Sequence, residues 1–494
     1  VHGNSATNFD DTTLELKRRP DRKEAYLEAA GGGRVGSGDW TVESGQGNRD
    51  NEGEFLNEPK KVAAAGKMNR KALKEIVREL FQEMLDEDLP TFSRAKARRE
   101  VAAKVKAKLE GGTKMQSEVE KKLDGVMKLP ESWRMTPALQ PASPGELTEA
   151  VRSAPRVLAV GAGTKPRLSA VDTVKLSLAR LSGVTEYEPS EFTITALAGT
   201  PVREIAATLG QRGQFLPFDP LLVEAGATLG GTVASGLSGP GRLRFGGLRD
   251  FILGVRFVDG AGRLLRAGGK VVKNAACFDL PKFFVGSLGR FGVLAETTFK
   301  VFPRPASTLT LKLPVHGAEA AAQLIAEASG GRWEPAAVDL LAGGEAVCLR
   351  LAGPSCALQE MSREILARWP GAALSDTDAE TIWSDLREFR WAYANGLLAK
   401  VALTLAAWPA LERSLCLLDG ARAHLSAGGS QAFISLPSAA PSGLLDENLR
   451  GLGLPAVTLR GNAPLWLGAR PRSNIALAVK EAIDPEGRFP GLDD

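Results

Sequence analysis

Three features of the 494-residue sequence predict an α+β fold of more than one domain. After Trp133, short β-branched runs alternate with stretches of helical period, the pattern of mixed folds. Between 156 and 305 that pattern is interrupted by segments made almost entirely of glycine and other small residues. Charge is concentrated at the start: 48 of the first 130 residues are Asp, Glu, Lys or Arg, against about 20% afterwards, which sets an N-terminal extension apart from the rest. A chain of this length is expected to hold two or three domains.

Residues 1–66 are rich in Gly, Asn, Asp and Glu and nearly without apolar periodicity, so they are expected to be disordered. The glycine run at 31–38 has no hydrophobic strand before it and no helix after it, and reads as a linker rather than a phosphate loop. From 68 to 85, Leu73, Ile76, Val77, Leu80, Phe81 and Leu85 recur at helical spacing. Further helical stretches follow Ser93 and span 117–127, so 67–132 reads as a charged helical segment. Its basic run at 94–108 lacks interleaved aromatics and is flanked by acids, which favours a solvated helix face over a nucleic-acid surface. The first residue, Val1, points to a fragment or an alternative start, and no secretory signal opens the sequence. The longest apolar stretch, 391–411, is broken by Asn395, Lys400 and Pro409; a buried strand plus connector is expected there, not a membrane span.

Within 133–306, strands are expected at 156–160, 191–198, 254–258 and 292–302, and helices at 144–153 and 202–210. Within 307–494, strands are expected at 309–313, 346–351, 398–404 and 431–435, with helices at 318–328, 357–369 and 409–425. That order suggests a βαβ-type α/β unit.

A net charge of +4 gives no strong pull toward nucleic acid or membrane. His2, His316 and His424 lie far apart, and Cys277, Cys348, Cys356 and Cys416 form no CxxC pair, so no metal site, iron–sulfur cluster or disulfide framework is expected. Free thiols fit a reducing compartment. The chemistry is expected to depend on something bound.

Three glycine-rich segments carry that expectation. In the first, an apolar strand runs into Gly161-Ala162-Gly163-Thr164-Lys165, where small residues let amides approach an anion and Thr and Lys add a hydroxyl and a charge. It is neither a Walker A loop nor a Rossmann fingerprint, because Pro166 and Arg167 replace the required pattern. The second, Thr228–Gly236, holds almost nothing larger than Val or Leu. It suits either close approach to a flat or phosphate-bearing ligand or tight packing of a helix on a sheet. The third, 273–305, reads as a helical segment, a Gly-Ser-Leu-Gly turn and a strand starting near Phe291, with Gly292 and Val293 able to offer main-chain groups.

Taken together and in this order, the segments resemble the FAD-binding domain of the vanillyl-alcohol oxidase and para-cresol methylhydroxylase type. More closely, they resemble the FAD-binding E subunit of glycolate oxidase. The strings GAGTK, YEPSEFTITALAGTPV, FDPLLVEAGATLGGTVASGLSGPGRLRFGGLRDFILGVRFVDGAG and KNAACFDLPKFFVGSLGRFGVLAETTFKVFPRP carry the resemblance, and AIDPEGRFPG near the C-terminus resembles the family's tail. It covers about 70% of the sequence and leaves 1–132 unexplained. The resemblance implies an FAD-binding domain of two subdomains over 133–306, and over 307–494 a cap domain whose tail returns to it. It further implies that Gly161, Ala162, Gly163, Thr164 and Lys165 wrap the FAD pyrophosphate. Pro220, Thr228, Gly230, Gly231, Thr232, Ser235 and Gly236 would line pyrophosphate and isoalloxazine, Val293 would meet the adenosine half through its main chain, and Gly292 beside it would offer main-chain groups to the cofactor. Arg249 and Asp250 take the family's Arg-Asp position, where a structural ion pair is expected. The family's GYDL is replaced by Cys277-Phe278-Asp279-Leu280, and the tail reads Arg488-Phe489-Pro490-Gly491. Covalent flavin attachment is not expected, since Cys277 is the one His or Cys in a matching loop.

The function implied is that of an FAD-binding subunit of a glycolate oxidase-type complex oxidising a 2-hydroxy acid such as glycolate. Its partners would be a catalytic flavoprotein of the D type and an iron–sulfur chain of the F type. Such a complex is cytoplasmic and reaches the inner face of the cell membrane through partners. Oxidation of a 2-hydroxy acid needs a base, and the histidine-rich motifs of the related D subunits are missing. His424 falls in the expected helix 409–425, where surface or packing is the ordinary role; Lys273 and Asp279 are the substitutes at hand. Trp383, Trp391 and Tyr393 suit core packing, a substrate pocket or a subunit interface. Two alternatives stay open: an autonomous FAD-dependent 2-hydroxy-acid dehydrogenase, and a non-catalytic scaffold.

Overall fold

The structure, a computed structural model, describes residues 139–269, 279–470 and 474–494. The disordered and helical N-terminal readings, Lys273 and Cys277 therefore lie outside the described residues.

Chain entry to the first domain is fixed by helix α1 (Pro144–Ser153). Ser143 accepts from the Glu146 amide at 3.2 Å, Pro144 opens the helix, and Leu147 and Val151, four apart, are fully buried. Strands β1 (Val157–Val160) and β2 (Val174–Ser177) pair in parallel. Next come β3 (Val184–Glu188), β4 (Thr193–Leu197), α2 (Val202–Gly210), β5 (Gln214–Phe215), α3 (Leu229–Ser235) and α4 (Arg242–Phe245). After them follow β6 (Ile252–Val258), β7 (Leu264–Gly268), α5 (Leu280–Phe284), β8 (Val293–Lys300) and β9 (Phe302–Pro303). A five-stranded antiparallel sheet runs β3-β4-β8-β6-β7. Its core gathers Phe218, Phe251, Phe257, Phe284 and Phe299, and Phe489 from the C-terminal tail fills the same core. Val157 donates to the Arg488 carbonyl at 2.8 Å, so the tail lies along β1.

The second domain holds β10 (Ser307–Pro314), α6 (Ala318–Gly330), β11 (Ala337–Leu340), β12 (Ala346–Gly353), α7 (Ser355–Arg368), β13 (Ala372–Ala373) and α8 (Asp376–Glu388). It continues through β14 (Leu397–Ala402), α9 (Trp408–Leu415), β15 (Arg422–Ser426), β16 (Gln431–Leu436), α10 (Ser442–Gly451), β17 (Pro455–Arg460), β18 (Trp466–Gly468) and α11 (Asn474–Ile483). Nine strands form one sheet, β13-β10-β12-β11-β15-β16-β14-β17-β18, and every pairing in it is antiparallel. Neighbouring strands are antiparallel, yet the βαβ reading survives in split form: β10 and β11 are both antiparallel to β12, so α6 joins two parallel strands with a third between them, and β14, α9 and β15 repeat this around β16.

The expected helix at 409–425 is corrected. α9 stops at Leu415, Gly420 turns the chain at φ +68°, and β15 begins at Arg422. Helical period ends there, and Ala423 and Leu425 alternate with His424 and Ser426 at the period of a strand. His424 thus belongs to a sheet.

Alternation gives this sheet two unlike faces. Val338, Leu340, Val347, Leu349, Ala399, Val401, Leu425 and Ile434 meet Leu324, Leu411 and Leu445 of the covering helices in an apolar core. The opposite face looks toward the first domain and carries Asp339, His424, Ser426, Gln431 and Ser435, each 2% exposed or less. Gln431 Nε2 donates to the Ser238 carbonyl at 2.7 Å, Arg350 pairs with Asp219, and Arg167 Nε reaches the Ala463 carbonyl at 2.6 Å across the same seam.

Candidate cofactor site

The first two glycine-rich segments meet at Gly161 and Thr228. A Cβ on Gly161 would lie 2.1 Å from Thr228 Oγ1, so glycine is required for this approach. Thr228 caps α3 and accepts from the Gly231 amide at 3.4 Å. Gly230 has another cause: its Cβ would meet Ala198 Cβ at 2.8 Å, so it lets α3 sit on β4. The two roles that small residues can play are therefore both present, on different sides of one short helix.

The cleft between these segments and the third has a volume of about 750 Å³ with its solvent-open space included, within the range of small-ligand and cofactor sites. Gly161 through Lys165 line it, together with Thr228, Gly230, Gly231, Ser235 and Gly292. Among the described residues nothing accepts from the amides of 161–165. Gly163, at φ +68°, supplies the left-handed step that turns this loop. Lys165 Nζ touches one polar partner, Thr164 Oγ1 at 3.1 Å, and burial holds its amine down to about 8. Free amides, a lone ammonium and missing Cβ atoms are the donor set and clearance that a dinucleotide pyrophosphate needs.

Four expected residues stay outside the cleft wall. Thr232, 3% exposed, lies beyond the edge of the α3 face formed by Gly230, Gly231, Ala234 and Ser235, and its hydroxyl is buried without a partner among the described residues. Gly236 ends α3 against Gly286, whose Cα lies 2.9 Å from a Cβ built on it. Val293 pairs with Val258 and sends its side chain into the core, leaving Gly292 and Leu294 as the wall. Pro220 lies beside Asp219, which accepts from the Gly241 amide at the seam between the domains. Residues absent from the expectation join the wall, among them Leu168, Ala234, one helical turn from Gly230, and Ser287, Leu288 and Gly289 of the Gly-Ser-Leu-Gly turn. Helical phase identifies Ala234, and the turn itself signals Ser287, Leu288 and Gly289.

Other candidates take structural roles. Asp279 caps α5, accepting from the Lys282 amide at 3.2 Å and pairing with its ammonium at 2.9 Å. Burial works against that carboxylate, yet Lys282 holds it below its ordinary range, so it is a poor base. Asp250 accepts from the Gly247 amide at 2.8 Å instead of pairing with Arg249. Trp383 is buried and donates to Thr310 Oγ1 at 3.0 Å, with Arg350 over its ring; Tyr393 carries Arg422 on its ring. Trp391 packs edge-on to His424. His424 Nε2 lies 2.8 Å from Asp339 Oδ2, while Asp339 Oδ1 accepts from the Ala427 amide at 2.8 Å.

Lys400, missed as a site residue, is the unusual side chain of the cap's inner face. It stands on β14 opposite Phe433, and among the described residues it has neither hydrogen bond nor ion pair. Burial first, and then the nearby Arg242 guanidinium, lower its amine to about 8. Lys400 is thus a largely buried cation without a counter-ion among the described residues, and the exposed Arg242 adds to the positive charge around it.

Residues 137–268 match the family described as FAD binding domain. Over 142 residues the chain is 46% identical to glycolate oxidase subunit GlcE of Escherichia coli (strain K12), covering 29% of this chain and 41% of that protein. It is 29% identical over 161 residues to glycolate oxidase subunit GlcD of Bacillus subtilis (strain 168), covering 33% and 34%. The chain thus spans less than half the length of these curated relatives. A solved structure of alkyldihydroxyacetonephosphate synthase superposes with a TM-score of 0.54 at 17% identity, covering 71% of this chain and 75% of that one, which identifies a shared fold. No helix among the described residues is long and apolar enough to cross a membrane. The match to the FAD binding domain family spans 137–268, and FAD is the cofactor it supports.

Proposed function

We propose that the chain is the FAD-carrying subunit of a complex that oxidises a 2-hydroxy acid of the glycolate class, with separate catalytic flavoprotein and iron–sulfur chains. The flavin, when bound, supplies the two-electron acceptor. Gly161–Lys165 would hold its pyrophosphate on main-chain amides, with Lys165 as the side-chain cation. Gly231, Ala234 and Ser235 would let the rest of the cofactor lie against α3. Arg242 and Lys400 would take a carboxylate between the domains. The observation that carries the subunit reading is the state of the buried imidazole. His424 is 1% exposed and does not line the cleft, its Nε2 held by Asp339 and its Nδ1 buried without a partner, so among the described residues no histidine reaches the cleft, and the base is left to a partner chain. His316 is exposed on the cap.

A second reading, an autonomous 2-hydroxy-acid dehydrogenase, draws on the Lys400–Arg242 pair, which suits a carboxylate substrate. One experiment separates them. The purified chain is loaded with FAD and mixed anaerobically with glycolate or D-lactate while the flavin's visible band is followed. The subunit reading expects bleaching only after the partner chains are added. Bleaching by the chain alone would replace it with the second reading, and failure to retain flavin would remove both.

A further inference from the structure

Arg290 is a buried cation that the site described above leaves without a task. It is 1% exposed and does not line the FAD cleft. Its Nη1 donates to the carbonyl of Leu168 at 3.1 Å and also to that of Leu288, and its Nη2 donates to the main-chain oxygen of Asp494 at 2.8 Å. Leu168 and Leu288 belong to different walls of the cleft: one follows the Gly161–Lys165 loop, the other sits in the Gly-Ser-Leu-Gly turn. The third acceptor belongs to the C-terminal tail. Lys480 reinforces the same junction, donating to the carbonyls of Arg290 at 2.6 Å and Phe489 at 3.1 Å.

We infer that Arg290 is a positioning residue for FAD: it sets the gap between the two cleft walls, with the C-terminal tail as its third anchor, and never touches the cofactor. The inference rests on the reading of this cleft as the FAD site. A guanidinium suits the task because its rigid fork presents donors in several directions at once, which a lysine cannot reproduce. Loss of the fork leaves the Leu168 and Leu288 carbonyls buried without a donor and releases the tail at Asp494. The guanidinium also keeps a positive charge behind a loop that must hold a diphosphate. Arg156 and Arg167 crowd it, Asp494 opposes them, and burial, the largest influence, lowers it to about 10, still charged at neutral pH.

The test compares Arg290→Met, Arg290→Lys and Lys175→Met in the full chain. Lys175 is the control because it donates to the carbonyls of Ser169 and Val171, on the first wall and just after it, and so supports one wall without bridging the cleft. Each protein is stripped of flavin and titrated with FAD by flavin fluorescence. The thermal midpoint of each apo-protein and the circular dichroism of its bound flavin are also measured. R290M is expected to weaken FAD about tenfold or more, R290K to fall between it and wild type, and both to alter the flavin's dichroism. K175M is expected to lower the midpoint while leaving FAD affinity within about threefold. The clamp is overturned if R290K and any folded R290M bind FAD as wild type does. It is equally overturned if K175M loses as much affinity as R290M at equal loss of stability. A wild-type chain that takes up no FAD overturns the cofactor reading, and the clamp with it.

Discussion

The glycine-lined cleft and the inner face of the second domain's sheet both hold polar groups inside the protein, and they are built by opposite means. In the cleft the working groups are main-chain amides, and the sequence contributes by leaving Cβ atoms out, at Gly161 against Thr228 and at Gly230 against Ala198. On the cap face the working groups are side chains from distant strands: Asp339 from β11, Lys400 from β14, His424 from β15, Gln431 from β16. A site made of clearance fails when atoms are added. A site made of partnered side chains fails when atoms are removed.

Addition in the cleft should have the largest effect. A side chain at Gly161 must displace Thr228, the residue that caps α3, so Gly161→Val is expected to separate the two walls of the pyrophosphate loop. The FAD retained per chain should fall about tenfold or more, since small-to-large changes in packed sites force the backbone itself to shift. Absorbance of flavin released from purified protein measures this, and full retention would show that the loop bears no tight contact.

Removal on the cap face comes next. Asp339 is fully buried and serves two donors, His424 and the Ala427 amide, at the junction of β11 and β15, where one residue pair, Leu340 and Leu425, registers the two halves of the sheet. Asp339→Ala leaves both groups unpartnered and is expected to cost about 3 kcal/mol in urea unfolding. Asp339→Asn keeps an acceptor and should cost about 1 kcal/mol. If the two variants unfold alike, His424 is not held by this carboxylate.

The same contrast explains what could be read in the sequence. Gly161, Gly230 and Gly231 stand out in the chain because strings of small residues are rare, and helices such as Pro144–Ser153 declare themselves through a cap, a proline and four-residue apolar spacing. Thr232 reads as lining in the sequence because composition marks a segment without giving its phase; the turn of α3 decides which of its side chains face the cleft. The cap's inner face was nearly illegible. His424 reads as helical when 409–425 is taken whole, and only Gly420 and the alternation after it reveal a strand. Lys400 appears in sequence as an interruption of an apolar run. Its meaning comes from Arg242, 158 positions earlier in the chain, which no local pattern connects to it.

That pair gives the subtlest prediction, because both addition and removal of charge matter there. Lys400 is lowered from 10.5 to about 8 in the folded protein, by burial first and by Arg242 second. The unfolded chain thus holds the proton more tightly than the native one, so this lysine destabilises the fold below about pH 8. As pH rises from about 8 toward 10.5 the native lysine sheds its proton first, and the penalty fades. Lys400→Met removes the penalty at every pH and should be more stable than wild type near pH 7, with the difference shrinking between pH 8 and 10.5. If the cation serves a carboxylate, the same variant loses affinity for a small carboxylate such as oxalate, and wild-type affinity falls as pH passes through 8. Stability measured by urea and binding measured by calorimetry, each across that range, decide the matter. Gain of stability with carboxylate binding unchanged would leave Lys400 a tolerated burial; gain of stability with binding lost would make it the cost the fold bears for holding an anion.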